Sequence, residues 1–218
     1  MKKGIIFDMD GTLWDAGESI AQAWNIVMKR HGLKKNDFTA DDIHGIMGKT
    51  IDGIADALFG EYSKEERMDI TKECLIYENE YLEEHGGELY DKLEDVLIEL
   101  SKNYPLYIVS NCEKGYIEGF LKYYGFEKYF EDFESHGNTS LPKGQNIRLV
   151  AERNHLTEVV YIGDIQSDYN ASREAGVGFI HAAYGFGTIE EEVLAISCIE
   201  EVPAAIKKYF KTDSDECL

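Results

Sequence analysis

The 218-residue chain holds only three prolines and four cysteines, and its 42 acidic residues face just 22 lysines and arginines. No apolar stretch approaches the ~18 residues that a membrane-spanning helix needs. The basic start Met1-Lys2-Lys3 leads into an apolar run that ends at Asp8, well short of the ~7–15 residues of a signal-peptide core. Both absences predict a cytoplasmic protein. Cys74, Cys112, Cys198 and Cys217 lie far apart, with no C-x-x-C pair and no histidine at zinc-ligand spacing. Reduced thiols are therefore expected, and neither a disulfide framework nor a zinc site. The six histidines form no i, i+4 metal pair. A net charge of −20 argues against nucleic acid as a partner, because phosphate backbones attract basic surfaces. An anionic substrate would approach against this field, so local cations must supply the attraction.

Hydrophobic content of 44% suffices at this length for one sizeable core plus a smaller attached unit. Three apolar runs end in short polar signatures: Ile5-Ile6-Phe7 in Asp8-Met9-Asp10-Gly11-Thr12, Leu106-Tyr107-Ile108-Val109 in Ser110-Asn111, and Val159-Val160-Tyr161-Ile162 in Gly163-Asp164. Short apolar runs bounded by turn residues predict buried parallel strands. Ligands of open parallel sheets sit beyond the carboxyl ends of the strands, so these distant segments are expected to converge on one acidic site.

Residues 17–86 read as almost entirely helical. Ser19 with Gln22 and Ser63 with Glu66 fit the capping-box pattern. Ile20, Trp24, Val27 and His31 mark one helical face, and Cys74, Tyr77 and Tyr81 another, in a helix expected to stop at a Gly86-Gly87 hinge. From about residue 90, helices alternate with strands: helix 91–103, strand 106–110, helix 114–124, a weak strand near 132–135, helix 144–155, strand 159–163, helix 167–175, strand 177–181 and a helix near 203–210. This alternation predicts a parallel sheet covered on both faces, with the helical block inserted after the first strand. The tail Thr212–Leu218 is expected to fray.

Asp8 and Asp10 stand two residues apart at a strand end, so both can face one side. Two such carboxylates repel, and one can hold a proton above its usual range. An anionic oxygen nucleophile beside a protonatable neighbour makes a covalent plus acid/base pair. Gly11 and Thr12 would turn the backbone sharply and offer N–H groups to an anion. A chance D-x-D-G-T in a chain this long is roughly a one-in-several-hundred event. Asp164, ending a buried strand, needs a partner, and Mg²⁺ shared with Asp8 would supply one. Two readings stand for Asp168, an outer ligand of that ion or an acid favoured by a helix dipole. Ser110 and Asn111 carry donors suited to phosphoryl oxygens, although alone they make a common strand-to-helix turn. Lys143, alone, reads as a surface lysine.

In their order along the chain, Asp8-x-Asp10-Gly11-Thr12, Ser110-Asn111, Lys143 and Gly163-Asp164-x-x-Ser167-Asp168 resemble the haloacid dehalogenase superfamily of phosphohydrolases. Within it the chain is most similar to the phosphoglycolate-phosphatase-like branch with a small all-helical cap. The resemblance implies an α/β fold, a three-layer Rossmann-like parallel sheet core (1–14 and 88–218) with an inserted helical cap (15–87). It implies a Mg²⁺-dependent phosphatase acting on a small phosphorylated metabolite through an aspartyl-phosphate. Asp8 would be the nucleophile and Asp10 the general acid/base. Ser110, Asn111, Thr12 and Lys143 would bind the phosphoryl group. Asp8, the Asp10 carbonyl and Asp164 would hold the metal, with Asp168 supporting through water.

The third motif reads Leu141-Pro142-Lys143-Gly144 where glycolate-type members carry Lys-Pro-x-Pro, which weighs against that substrate. Asp10 points away from dehalogenases and phosphonatases, and Thr12 away from sugar-phosphate mutases. Lys49, in Gly48-Lys49-Thr50, is either a substrate contact from the cap or an exposed loop lysine. A phosphomutase and a non-catalytic phosphate-binding module stand as alternative functions.

Overall fold

A computed structural model describes residues 2–33, 35 and 37–215. Its centre is a six-stranded, wholly parallel sheet, in the order β5 (Phe130–Ser135), β4 (Leu106–Ser110), β1 (Lys3–Phe7), β6 (Glu158–Gly163), β7 (Gly178–Ala182) and β8 (Ala195–Ile196). The α/β class and the four longer strands after β1 agree with expectation within two residues at each end. β8 was not foreseen, because two residues carry no periodicity.

The register explains why these runs lack polar alternation. Ile5, Phe7, Leu106, Ile108 and Ile162 face one side, against α5 (Leu93–Ser101), α6 (Tyr116–Tyr124) and α10 (Val202–Asp215). Ile6, Tyr107, Val109, Val159 and Tyr161 face the other, against α8 (Lys143–Arg153) and α9 (Gln166–Ala175). Each apolar side chain so buried contributes roughly 1.5–3 kcal/mol, so period-2 alternation would leave one helical layer without a partner. A short α7 (His136–Thr139) joins β5 to α8. α10 reaches Asp215, into the tail expected to fray from Thr212; residues 216–218 of that expectation lie outside the described residues.

Between β1 and α5 lies the helical block: α1 (Gly17–Arg30), α2 (Ala40–His44), α3 (Ile51–Leu58) and α4 (Lys64–His85). The Ser63/Glu66 capping box forms as expected, with the Ser63 N–H donating to Glu66 Oε2 at 3.0 Å. The Ser19/Gln22 box does not. Asp15 Oδ1 already accepts the Gly17 N–H at 2.8 Å and the helix starts three residues earlier, after Ala16, leaving the Ser19 hydroxyl to donate to the Gly86 carbonyl. Ile20, Trp24 and Val27 are buried, but His31 lies past the helix end and is exposed beside Glu73. In α4 the buried stripe is Thr71, Cys74, Leu75, Glu78 and Leu82, so Tyr77 and Tyr81 only flank it.

The segments leading into and out of the block pair with each other. β2 (Trp14–Asp15) runs antiparallel to β3 (Glu88–Leu89), a ribbon the sequence did not announce. The boundary expected at 14/15 falls within β2, and the one expected at 87/88 falls at the start of β3. One apolar cluster runs from the sheet face through Trp14 into Trp24 and Phe59 of the block.

Candidate active site

The topology reverses direction at β1: the chain builds outward through β4 on one side and β6 on the other. A crevice opens at such a switch point, and the polar strand ends meet there. Asp8 and Asp10 follow β1, Ser110 closes β4, and Asp164 follows β6. The start of α8 brings in Lys143, and the first turn of α9 brings Asp168.

Lys143 is 5% exposed. Its ammonium donates to Asp8 Oδ1 at 3.0 Å and to Asp168 Oδ1 at 2.6 Å. Burial disfavours that charge, but the carboxylates of Asp168 and Asp8 outweigh it and hold Lys143 above its ordinary pKa. The other Asp168 oxygen accepts the N–H groups of Asp164 (3.1 Å) and Ile165 (3.2 Å). Asp168 thus ties Lys143 to the turn that presents Asp164, and both its oxygens are engaged.

Asp8, Asp164 and Asp168 each place an oxygen within 4.8 Å of the others. Asp164 Oδ2 accepts the Phe186 N–H at 2.8 Å, while Oδ1 is buried with no hydrogen-bond partner among the described residues. Burial first, then the charges of Asp8 and Asp168, push Asp164 up to about 8. Burial and Asp168 likewise raise Asp8 to about 6 against the pull of Lys143. An orphaned carboxylate oxygen among mutually repelling acids fits a hard divalent cation such as Mg²⁺. Asp8 and Asp164 are the side chains with oxygens to give it.

Asp10 lives in different surroundings. Its Oδ1 accepts the Tyr116 hydroxyl at 2.6 Å. Burial lifts it to about 7, with that hydrogen bond holding it lower than burial alone would. The backbone after it turns through Gly11 at φ +80°, where a Cβ would collide with the Asp164 carboxylate. A side chain would meet both a left-handed backbone and a filled space there.

The N–H groups expected to face an anion are used in the turn itself: Gly11 donates to the Trp14 carbonyl and Thr12 to that of Met9. Thr12 is fully buried; its carbonyl accepts the Tyr184 hydroxyl, and it lines neither cavity of the site. Asn111 donates its amide to the Gly48 carbonyl of the helical block at 3.0 Å.

Two adjoining cavities share Asp10, Ser110, Met47 and Gly48. The smaller and polar one, about 20 Å³, also meets Asp8, Asp164, His44 and Phe186. The larger, about 70 Å³, extends under the helical block and is lined by Trp24, Leu75, Glu78, exposed Lys49 and several isoleucines. His44 closes the polar side, stacked on Phe186 at 4.2 Å and bonded to Asp15 at 2.9 Å. Tyr116, Glu78 and His44 are the site residues that the sequence reading missed. Glu78 alone left a trace, as an acid inside the apolar stripe Thr71, Leu75, Leu82.

Residues 5–182 match the family model described as haloacid dehalogenase-like hydrolase. A phosphoglycolate phosphatase of Colwellia psychrerythraea is 28% identical over 206 residues, covering 87% of this chain and 88% of that protein. A haloacid dehalogenase-like hydrolase from Streptococcus pneumoniae superposes with a TM-score of 0.80 at 24% identity, covering 94% of this chain and 98% of its own. A Rhodobacter sphaeroides protein solved in complex with xylulose 1,5-bisphosphate has a TM-score of 0.75 at 16% identity, covering 92% and 96%. The match takes in every strand end of the crevice, from Asp8 to Asp168, and the chain belongs to the haloacid dehalogenase-like hydrolases.

Proposed function

We propose that the protein is a Mg²⁺-dependent phosphatase that hydrolyses a small phosphomonoester through an aspartyl-phosphate on Asp8. The observation that carries this reading is the divided environment of two acids two residues apart. Asp8 lies against the Lys143 ammonium, which favours a charged nucleophile, while Asp10 has no ammonium against it among the described residues and is raised to about 7 by burial despite the Tyr116 hydrogen bond, which favours a held proton. Environments that split a pair of acids in this way assign the acid and base roles.

The Asp8 carboxylate attacks phosphorus, and the Lys143 ammonium offsets charge developing on the phosphoryl oxygens. Ser110, at the mouth of both cavities, orients those oxygens. Asp10 borders both cavities, so its proton reaches the leaving oxygen as the bond to phosphorus breaks. The resulting Asp10 carboxylate then takes a proton from the water that opens the acyl phosphate. Mg²⁺ held by Asp8 and Asp164, with the Asp10 carbonyl, would neutralise the phosphate dianion and its repulsion from the surrounding acids. The helical block acts as a cap that keeps bulk water out. The names of the relatives, a phosphoglycolate phosphatase and a protein holding a sugar bisphosphate, support small phosphorylated metabolites as the substrate class.

The test is phosphate release with Mg²⁺ over a panel of small phosphomonoesters. Asp8→Asn is expected to abolish release; turnover near the wild-type rate would overturn the nucleophile assignment.

A further inference from the structure

The phosphoryl site does not account for the 70 Å³ cavity beyond Asp10. Its walls are Ile20 and Trp24 of α1, Ile43 of α2, Ile51 and Ile54 of α3 and Leu75 of α4. At roughly 10–15 Å³ per water-sized centre, the space takes on the order of five to seven non-hydrogen atoms. Against this apolar shell sits the carboxyl of Glu78, itself 6% exposed. The Trp24 indole N–H donates to its Oε2 at 2.7 Å. No other hydrogen bond or ion pair engages that carboxyl among the described residues. Burial, opposed by the Trp24 bond and assisted by Asp10 and Glu113, pushes Glu78 up to about 8. Neutral pH therefore favours its protonated form, which can serve as a hydrogen-bond donor.

The ionisable side chains facing this space are mostly acids. Asp10, Glu78 and Glu113 line it, and among the described residues the single cation on its wall, Lys49, is exposed. A carboxylate drawn into the cavity would lose its hydration, meet three acids and find no buried cation. An ammonium would need Glu78 ionised inside an aliphatic shell, with the same loss of hydration. An uncharged apolar group incurs neither cost and gains by leaving water.

We propose that this cavity receives the leaving group of a phosphomonoester of a compact, uncharged and largely apolar alcohol, and that Glu78 determines specificity by donating to one acceptor on that group. The proposal rests on the phosphatase reading and narrows its substrate. It expects esters whose alcohol carries a carboxylate, phosphoglycolate among them, to be poor ligands.

The test separates binding from turnover. Dissociation constants are measured calorimetrically, with Mg²⁺, on Asp8→Asn for phenyl phosphate, 4-hydroxyphenyl phosphate, phosphoglycolate and phosphoethanolamine. The two aryl esters are expected to bind at least about tenfold more tightly than the charged ones, with the 4-hydroxy ester the tighter of the two. Adding Glu78→Leu is expected to bring the two aryl constants together, and Glu78→Gln to restore their difference. Tighter binding of phosphoglycolate or phosphoethanolamine overturns the proposal, as does an aryl preference indifferent to Glu78→Leu. No phosphate release by the wild-type protein from any ester, with the binding order intact, would instead overturn the phosphatase reading. No binding of any ester overturns both.

Discussion

Tyr116 donates its phenol hydrogen to Asp10 Oδ1 at 2.6 Å, although 106 residues separate the two. This bond stabilises the carboxylate form and so lowers the pKa of Asp10 from where burial would place it. Tyr116→Phe removes the bond while keeping the ring that packs edge-on against Trp14. Asp10 then titrates higher, and its protonated, proton-donating form persists to higher pH. The alkaline limb of the kcat/KM profile is expected to move upward in pH, with a loss of at most about tenfold in kcat. A limb that stays in place would assign it to another group.

Lys143 is the shared partner of two buried carboxylates. Lys143→Met strands both, and removing one member of a buried ion pair costs roughly 3–5 kcal/mol. Chemical denaturation without added metal is expected to show a loss of that order, and phosphate release should fall to background. Stability within about 1 kcal/mol of wild type would mean that one of the acids carries a proton in the folded state.

Asp164 has a buried oxygen with no hydrogen-bond partner among the described residues, so a bound cation should stabilise the fold by mass action. Tm is expected to rise with Mg²⁺ concentration in the wild-type protein and to rise much less in Asp164→Asn. Chelation should remove both the shift and the activity, and Mg²⁺ should return them. An equal Tm response in both proteins would place the ion elsewhere.

Glu78 titrates at about 8 in the fold and near its ordinary 4.5 when unfolded. Its raised pKa means that the folded chain holds a proton the unfolded chain releases. Stability from this group is present at low pH and is lost as pH rises from roughly 4.5 to 8. Glu78→Gln has no such loss and still offers Trp24 an acceptor. The variant is expected to match wild type near pH 5 and to exceed it by a few kcal/mol near pH 8. A Tm difference that does not grow with pH would contradict a neutral Glu78.

The sheet was legible in the sequence because its strands are sandwiched between helical layers, so burial on both faces writes itself as unbroken apolar runs. The strand ends followed, since Asp8, Ser110 and Asp164 sit where those runs stop. Partners supplied by tertiary packing were not legible. Tyr116 looks like any first-turn aromatic until α6 docks beside β1. Glu78 lies near Glu80, Glu83 and Glu84, and only its place in the α4 stripe separates it from that solvated face. Asn111 showed the reverse difficulty: the residue was visible, but its amide goes to Gly48 of the helical block.

The β2–β3 ribbon makes the helical block a door and not a weight on two strings. Two free strands would let the block wobble in every direction. Strands bonded edge to edge across Trp14–Leu89 and Asp15–Glu88 bend together about one axis and resist being sheared apart. The Asn111–Gly48 bond and the His44–Phe186 stack then act as a catch on the free edge. His44, Gly48 and Phe186 of that catch line the polar chamber, and Gly48 lines the apolar one too, so a swing that released the catch would open both together.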